Sequence, residues 1–237
     1  MNANIPRFFA PGSTIANLVA AVAIQHTGEG RFHAGVVYFD KAQYHFLNLE
    51  FHFRLTNPSF NAFNTGWVEP PINSDDAGLV AALCKRVWET KPKLPYHLRW
   101  DQGSTFSSAT GKFIPIGDCK GLTCATFVLA IYNGVGVKLI NEQNWQSRDG
   151  DQDWQNYILS IFETWEQKKR KDGDAEFADE LVEHIKNVKT ELGSLRYRPE
   201  DVTGACVGNN LPATFEDATV AGSRIREVLM SADGRDR

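Results

Sequence analysis

The residue best placed for nucleophilic chemistry in this sequence is Cys124, at the start of a predicted apolar helix. Phe127, Val128 and Ile131 follow it at helical spacing. The unpaired N–H groups and the macrodipole of a helix N-terminus favour a thiolate and can also hold an oxyanion. Cys119, in the loop five residues earlier, is the alternative nucleophile, although no helix directly follows it. The apolar stripe also fits the simpler interpretation that Cys124 is a buried structural cysteine.

Two histidines on neighbouring predicted strands are candidates for a base and its orienting partner. His33 opens a strand of valine and aromatic residues, where an imidazole is costly without a hydrogen-bond partner. His45 lies 12 residues later, on the next predicted strand. The two share a face only if the intervening turn has an odd number of residues, such as Asp40-Lys41-Ala42. In that case His45 would orient His33 and leave its other ring nitrogen for the thiol, as in a catalytic triad.

The elements that must position these residues are predicted to be strands in the first part of the chain and helices in the later part. The strand-like runs cover residues 18–24, 32–39 and 44–55. An Asn-, Pro- and Gly-rich segment at 57–73 is predicted to be a loop. The predicted helices begin at Ser74 and Cys124, cover 154–165 and 177–192, and continue in shorter segments from Pro199 and Gly222. Strands followed by helices, without β–α–β alternation, are typical of an α+β fold.

Three short motifs together resemble the NlpC/P60 superfamily of papain-like cysteine hydrolases. They are the run from His33 to Tyr38, a polar residue 12 positions after His33, and the Cys-x-x-Phe-Val helix start at Cys124. Most members of that superfamily have the cysteine before the histidine. The reversed order seen here resembles the circularly permuted branch that includes lecithin:retinol acyltransferase-like proteins. The resemblance covers roughly residues 10–140.

This resemblance implies a papain-like α+β fold, with an antiparallel sheet packed on the helix that carries the nucleophile. It implies that Cys124 is the nucleophile, His33 the general base and His45 the polar third member, with no cofactor. Residues 1–145 would form the permuted NlpC/P60-like catalytic core. Residues 146–237 would form a helical C-terminal extension packed on that core.

The activity implied is hydrolysis of a peptide or peptidoglycan-type amide through a thiol-acyl intermediate. One alternative is a lipid ester hydrolase or acyltransferase of the same branch. Two features argue against a membrane-embedded acyltransferase: Thr123 stands where the vertebrate proteins have Asn, and the sequence from Ser231 onward is polar. Another alternative is a catalytically inactive binding or regulatory domain, which the long charged helical region favours.

Composition excludes several other classes of protein. The chain has 237 residues, of which 42% are hydrophobic and 23% charged, as in ordinary globular proteins. Its net charge of -4 lacks the basic surplus of a general nucleic-acid binder. Its four cysteines match neither a disulfide scaffold nor a zinc ribbon. The longest apolar run, at 16–24, is too short to span a bilayer and makes a poor signal sequence.

We therefore expect a cytoplasmic protein that acts on a peptide or a small amide or ester and has no stable membrane anchor. A zinc site is the remaining alternative, since four histidines lie close together in the sequence. His26 and His33, and likewise His45 and His52, are separated by odd numbers of residues. Within regular strands, each pair would point to opposite faces, so we expect no metal. The oligomeric state is left open.

Overall fold

The computed structural model describes residues 5–233 and has the predicted mixed α+β fold. Of the polar C-terminal segment, residues 234–237 lie outside the described part of the chain. The elements run in the order β1 (Phe8–Phe9), β2 (Ala20–His26), β3 (Phe32–Asp40), β4 (Gln43–Phe51), β5 (Arg54–Thr56), β6 (Thr65–Val68), α1 (Ser74–Thr90), β7 (Thr105–Phe106), β8 (Phe113–Ile114), α2 (Cys124–Asn133), α3 (Asp151–Lys171), α4 (Ala175–Thr190), α5 (Pro199–Gly204) and α6 (Phe215–Asp233).

The larger sheet is antiparallel, with the strand order β1-β6-β2-β3-β4-β5. Strand β6 lies in the segment predicted to be a loop, so that prediction is wrong. The strand has only four residues and includes Gly66, which gives no alternating signal. A Cβ atom on Gly66 would lie 2.7 Å from the Phe8 ring, and Trp67 stacks on Phe9 at 5.2 Å between centroids. Close packing across β1 and β6 therefore favours a strand at this position, whereas the local residue pattern does not indicate one.

The predicted single strand over residues 44–55 is a hairpin. Strand β4 ends at Phe51, and β5 turns back to pair Thr56 with Asn48. Phe53, in the turn, has a left-handed φ of 58°, a conformation that sequence rules assign to Gly or Asn. Its N–H donates to the Leu94 carbonyl at 2.8 Å. The turn is therefore held by contacts with a distant segment, and the alternating pattern runs through it without a break.

Helices α1 and α2 pack against β3 and the strands beside it. Residues Cys124 to Tyr132 of α2 are all buried, as expected for a helix that is apolar on every side. The predicted start of this helix at Cys124 is confirmed. The nucleophile candidate thus belongs to the central helix of the core, and its position is fixed by the packing around it.

The C-terminal helices share the core with the sheet. Helices α3 and α4 pack on each other, and α5 packs on α6, α2 and the β2–β3 hairpin. One hydrophobic cluster includes Val36, Leu122, Phe162 and Val202, on both sides of position 145. No helix within residues 5–233 has the length and apolar character needed to cross a lipid bilayer.

Candidate active site

The first turn of α2 holds Cys124 in a capped and well-defined position. The Thr123 hydroxyl accepts a hydrogen bond from the Thr126 N–H at 3.2 Å, and the Thr126 hydroxyl accepts one from the Thr123 N–H at 2.8 Å. This capping box fixes the start of the helix. The backbone N–H groups of Ala34 and Ala125 donate to the thiol. Cys124 is 7% exposed, and it lines a cleft.

Strand β3 brings His33 to this thiol, and strand β4 supplies a partner for the imidazole. His33 hydrogen-bonds Cys124 on one side. On the other side, its Nε2 lies 2.8 Å from Oδ1 of Asn48, a buried residue. The Asn48 Nδ2 donates to the Phe46 carbonyl at 3.1 Å, which turns Oδ1 toward the imidazole. An amide oxygen only accepts, so Nε2 carries the proton and Nδ1 is left for the thiol.

The electrostatics of the pair favour a thiolate and an imidazolium. Burial raises the pKa of the Cys124 thiol, but the His33 charge, its hydrogen bond and the two backbone donors together bring that pKa below its ordinary value. Burial lowers the pKa of His33, but the Cys124 charge and hydrogen bond, the Asn48 hydrogen bond and the charge of Glu50 together raise it. Opposite shifts in two adjacent groups are characteristic of an activated nucleophile and its base.

His45 does not meet His33, which corrects the expected third member. Asp40 pairs with Gln43 around the two-residue turn Lys41–Ala42, whose φ values are 49° and 64°. Because the turn has an even number of residues, His45 pairs with Tyr38, on the face of the hairpin opposite to His33. The two rings of that pair lie 5.4 Å apart. Asn48 holds the position assigned to His45.

The other cysteines have different environments. Cys119 is buried in the loop before α2, where its thiol donates to the Gly121 carbonyl at 3.3 Å. It does not line the cleft over Cys124. Burial raises the pKa of the Cys84 and Cys206 thiols, the reverse of the direction at Cys124. Within residues 5–233, no group of three or more His, Cys, Asp or Glu side chains is arranged to hold a metal ion.

A cleft of about 600 Å³ opens over the thiol, and the C-terminal region forms one of its walls. Strands β3 and β4 supply aromatic side chains on one side. Helix α3 supplies Trp154, Tyr157, Ile158 and Ile161, and the segment 196–200 supplies charged and polar groups. Residues 146–237 were expected to be an extension packed on the catalytic core. They thus contribute directly to the candidate site.

Sequence reasoning missed three residues of the site: Asn48, Tyr96 and Arg196. Tyr96 is buried, and it reaches the cleft because the segment before it pairs with the segment before Cys124. The Leu122 N–H donates to the Pro95 carbonyl at 3.0 Å. A Cβ atom on Gly121 would lie 2.2 Å from that same oxygen, so only glycine fits. Of the three residues, only Asn48 had a sequence signal, its place on the polar alternation of β4.

Comparisons of the chain with protein-family models, curated proteins and solved structures found no match. A thiol, an imidazole and an amide lie in hydrogen-bonded order at the floor of a cleft. This order can produce a nucleophile near neutral pH and keep its base in one tautomer.

Proposed function

We propose that this protein is a cysteine hydrolase that cleaves an amide with Cys124, His33 and Asn48. The observation that carries the proposal is that His33 hydrogen-bonds both the thiol and the Asn48 Oδ1, the latter at 2.8 Å. Papain-like proteases use the same order of Cys, His and Asn. The resemblance of the sequence to permuted NlpC/P60 hydrolases also supports it, with Asn48 in place of His45 as the third member.

The first half of the reaction forms a thioester. His33 Nδ1 takes the thiol proton, and the Cys124 sulfur attacks the carbonyl carbon of the substrate. The carbonyl oxygen becomes an oxyanion, for which we expect the Cys124 N–H at the helix start to be a donor. The C–N bond then breaks, and His33 gives its proton to the leaving nitrogen.

The second half releases the acid. Water enters the place of the departed amine, and His33 removes a proton from it as its oxygen attacks the thioester carbon. The C–S bond breaks, the proton returns to the sulfur, and the carboxylic acid leaves. Throughout, Asn48 keeps Nε2 protonated and the ring in one orientation. Neither half requires a cofactor.

An activated acyl donor tests this proposal because it can acylate a reactive thiol whatever the natural substrate is. We expect p-nitrophenyl acetate to release nitrophenol and to leave an acetyl group on Cys124, detected by mass spectrometry of the digested protein. Cys124→Ala and His33→Ala should abolish both signals, and Cys119→Ala, the matched control, should keep both. A panel of peptide p-nitroanilides then distinguishes amide from ester cleavage. Nitrophenol release that survives Cys124→Ala would refute the assignment, and a folded protein that never becomes acylated would favour the binding domain.

A further inference from the structure

The cleft wall formed by the C-terminal region carries more guanidinium than carboxylate charge. Arg196 and Arg198 both pair with the same oxygen, Asp151 Oδ1, at 3.6 Å and 2.8 Å. Both arginines line the cleft. One carboxylate cannot neutralise two guanidinium groups, so a positive charge remains at this wall.

Arg196 is the less satisfied of the two arginines. The Nε of Arg198 donates to Asp151 at 2.9 Å, and its Nη2 donates to the Asp149 carbonyl at 2.9 Å. The Arg196 Nε, by contrast, has no hydrogen-bond partner among the described residues. The Arg196 side chain is only 16% exposed and lies over the Trp154 ring at 4.1 Å. A buried guanidinium with unused donors is costly unless a ligand supplies the missing acceptor.

The neighbouring carboxylates do not neutralise the surplus positive charge of this cleft wall. Asp201 pairs with Arg148, and Glu200 lies 3.7 Å from Arg226. Burial also raises the pKa of Asp201 to about 7, so part of that negative charge is absent at neutral pH. Four arginines of this group (Arg148, Arg196, Arg198 and Arg226) face three carboxylates (Asp151, Glu200 and Asp201). A net positive charge therefore remains, although Asp151 and Glu200 both act on Arg196.

Arg196, Tyr96 and Cys124 line the same cleft. The Tyr96 hydroxyl is within electrostatic range of Cys124 and of Arg196. Burial and the charge of Cys124 raise the pKa of Tyr96, so its hydroxyl is neutral. An anionic group bound at Arg196 would therefore occupy the same cleft as the bond that Cys124 attacks.

We propose that the cleft selects peptide-type substrates in which a free carboxylate lies close to the scissile carbonyl, with Arg196 as its principal partner. A guanidinium presents planar, paired donors that match the two oxygens of a carboxylate. Trp154 and Ile158 line the cleft beside it and would cover the carbon skeleton of the same group. This inference rests on the proposed function and adds the substrate class to it.

Two thiol reagents of nearly equal size test the inference separately from catalysis. Iodoacetate carries a carboxylate one carbon from the sulfur it alkylates, and iodoacetamide carries a neutral amide there. We would measure the ratio of their alkylation rates at Cys124 by mass spectrometry at one pH. Arg196→Gln should lower the iodoacetate-to-iodoacetamide ratio roughly fivefold, the effect expected of removing one opposite charge from a half-buried cleft.

Two further variants make the result decisive. Arg198→Gln, which leaves Asp151 to Arg196 alone, should lower the ratio in the same direction, even if Arg196→Gln fails to fold. Arg86→Gln removes an exposed arginine of α1 outside the cleft and should leave the ratio unchanged. A ratio unaffected in both cleft variants would overturn this inference alone. Failure of iodoacetamide to modify Cys124 at all would overturn the proposed function and this inference with it.

Discussion

A Cβ atom on Gly35 would lie 2.6 Å from the Cβ of Asn48, closer than real Cβ atoms approach. It would also lie 2.6 Å from the Leu47 carbonyl oxygen. The strand that carries His33 therefore has no side chain at the point where Asn48 crosses toward the imidazole. The absence of a side chain at Gly35 allows the hydrogen bond between the two strands to form.

Gly35→Ala should therefore disturb the site and the fold together. The added methyl group must push away Asn48 or the Leu47 backbone, and overpacking of this kind costs about 1–3 kcal/mol of unfolding free energy. Cys124 alkylation by iodoacetamide near neutral pH should slow in parallel. Gly78→Ala is the matched control, because nothing lies within 4 Å of a Cβ there and Gly78 is inside α1. Equal stability of the two variants by urea unfolding would contradict the packing argument.

The assignment of Asn48 as the residue that orients His33 gives a second prediction. Asn48→Ala removes the acceptor of the His33 Nε2–H, and a hydrogen bond to a charged group is worth about 1.5–3 kcal/mol. We expect nitrophenol release to fall roughly 10- to 150-fold. His45→Ala should leave it nearly unchanged, because His45 lies on the opposite face of the hairpin. The reverse order of effects would restore His45 to the role that the sequence resemblance implies.

Part of this site was predictable from sequence because it depends on local patterns. The apolar run after Cys124 and its threonine cap specify a helix that begins at the thiol, as found. The valines after His33 specify a strand. The polar alternation of β4 contains Asn48, so the correct partner was on the correct strand. In each case, the signal lies within a few residues of the position that it predicts.

The rest depends on contacts that no local pattern encodes. Lys41 and Ala42 adopt left-handed backbone conformations without the Gly or Asn that usually marks such a turn. The sequence therefore does not indicate whether the turn has an odd or an even number of residues. Tyr96 reaches the cleft through backbone pairing near Pro95. Arg196, in the segment between α4 and α5, lines the same cleft. A charged helical sequence gives no sign of which of its residues face a cleft built largely by another part of the chain.

Acid should destabilise the protein through a cluster of buried histidines. The His52 and His184 rings lie 4.0 Å apart, and the His97 ring lies 4.6 Å from that of His184. Burial and the neighbouring charges lower the pKa of His52 to about 3 and that of His184 to about 4. Between those values and the ordinary 6.5, the unfolded chain binds more protons than the folded one. The unfolding free energy should thus fall as the pH drops below 6.5.

The slope should be up to about 1.4 kcal/mol per pH unit for each histidine. Urea unfolding at a series of pH values measures it. His184→Gln removes one titrating group and should flatten the slope between pH 6 and 4, whatever it does to the stability at pH 7. A slope unchanged by that substitution would show that other groups cause the loss of stability.

The central claim is that His33 activates Cys124, and the pH dependence of iodoacetamide labelling tests it most directly. In the wild type, labelling of Cys124 should begin well below the ordinary thiol pKa of 9.0, because the imidazolium lowers the pKa of the thiol. In His33→Ala only burial and the two backbone donors remain, so the midpoint of labelling should move upward by more than one pH unit. A wild-type midpoint at or above 9.0, or one that His33→Ala leaves in place, would contradict the account.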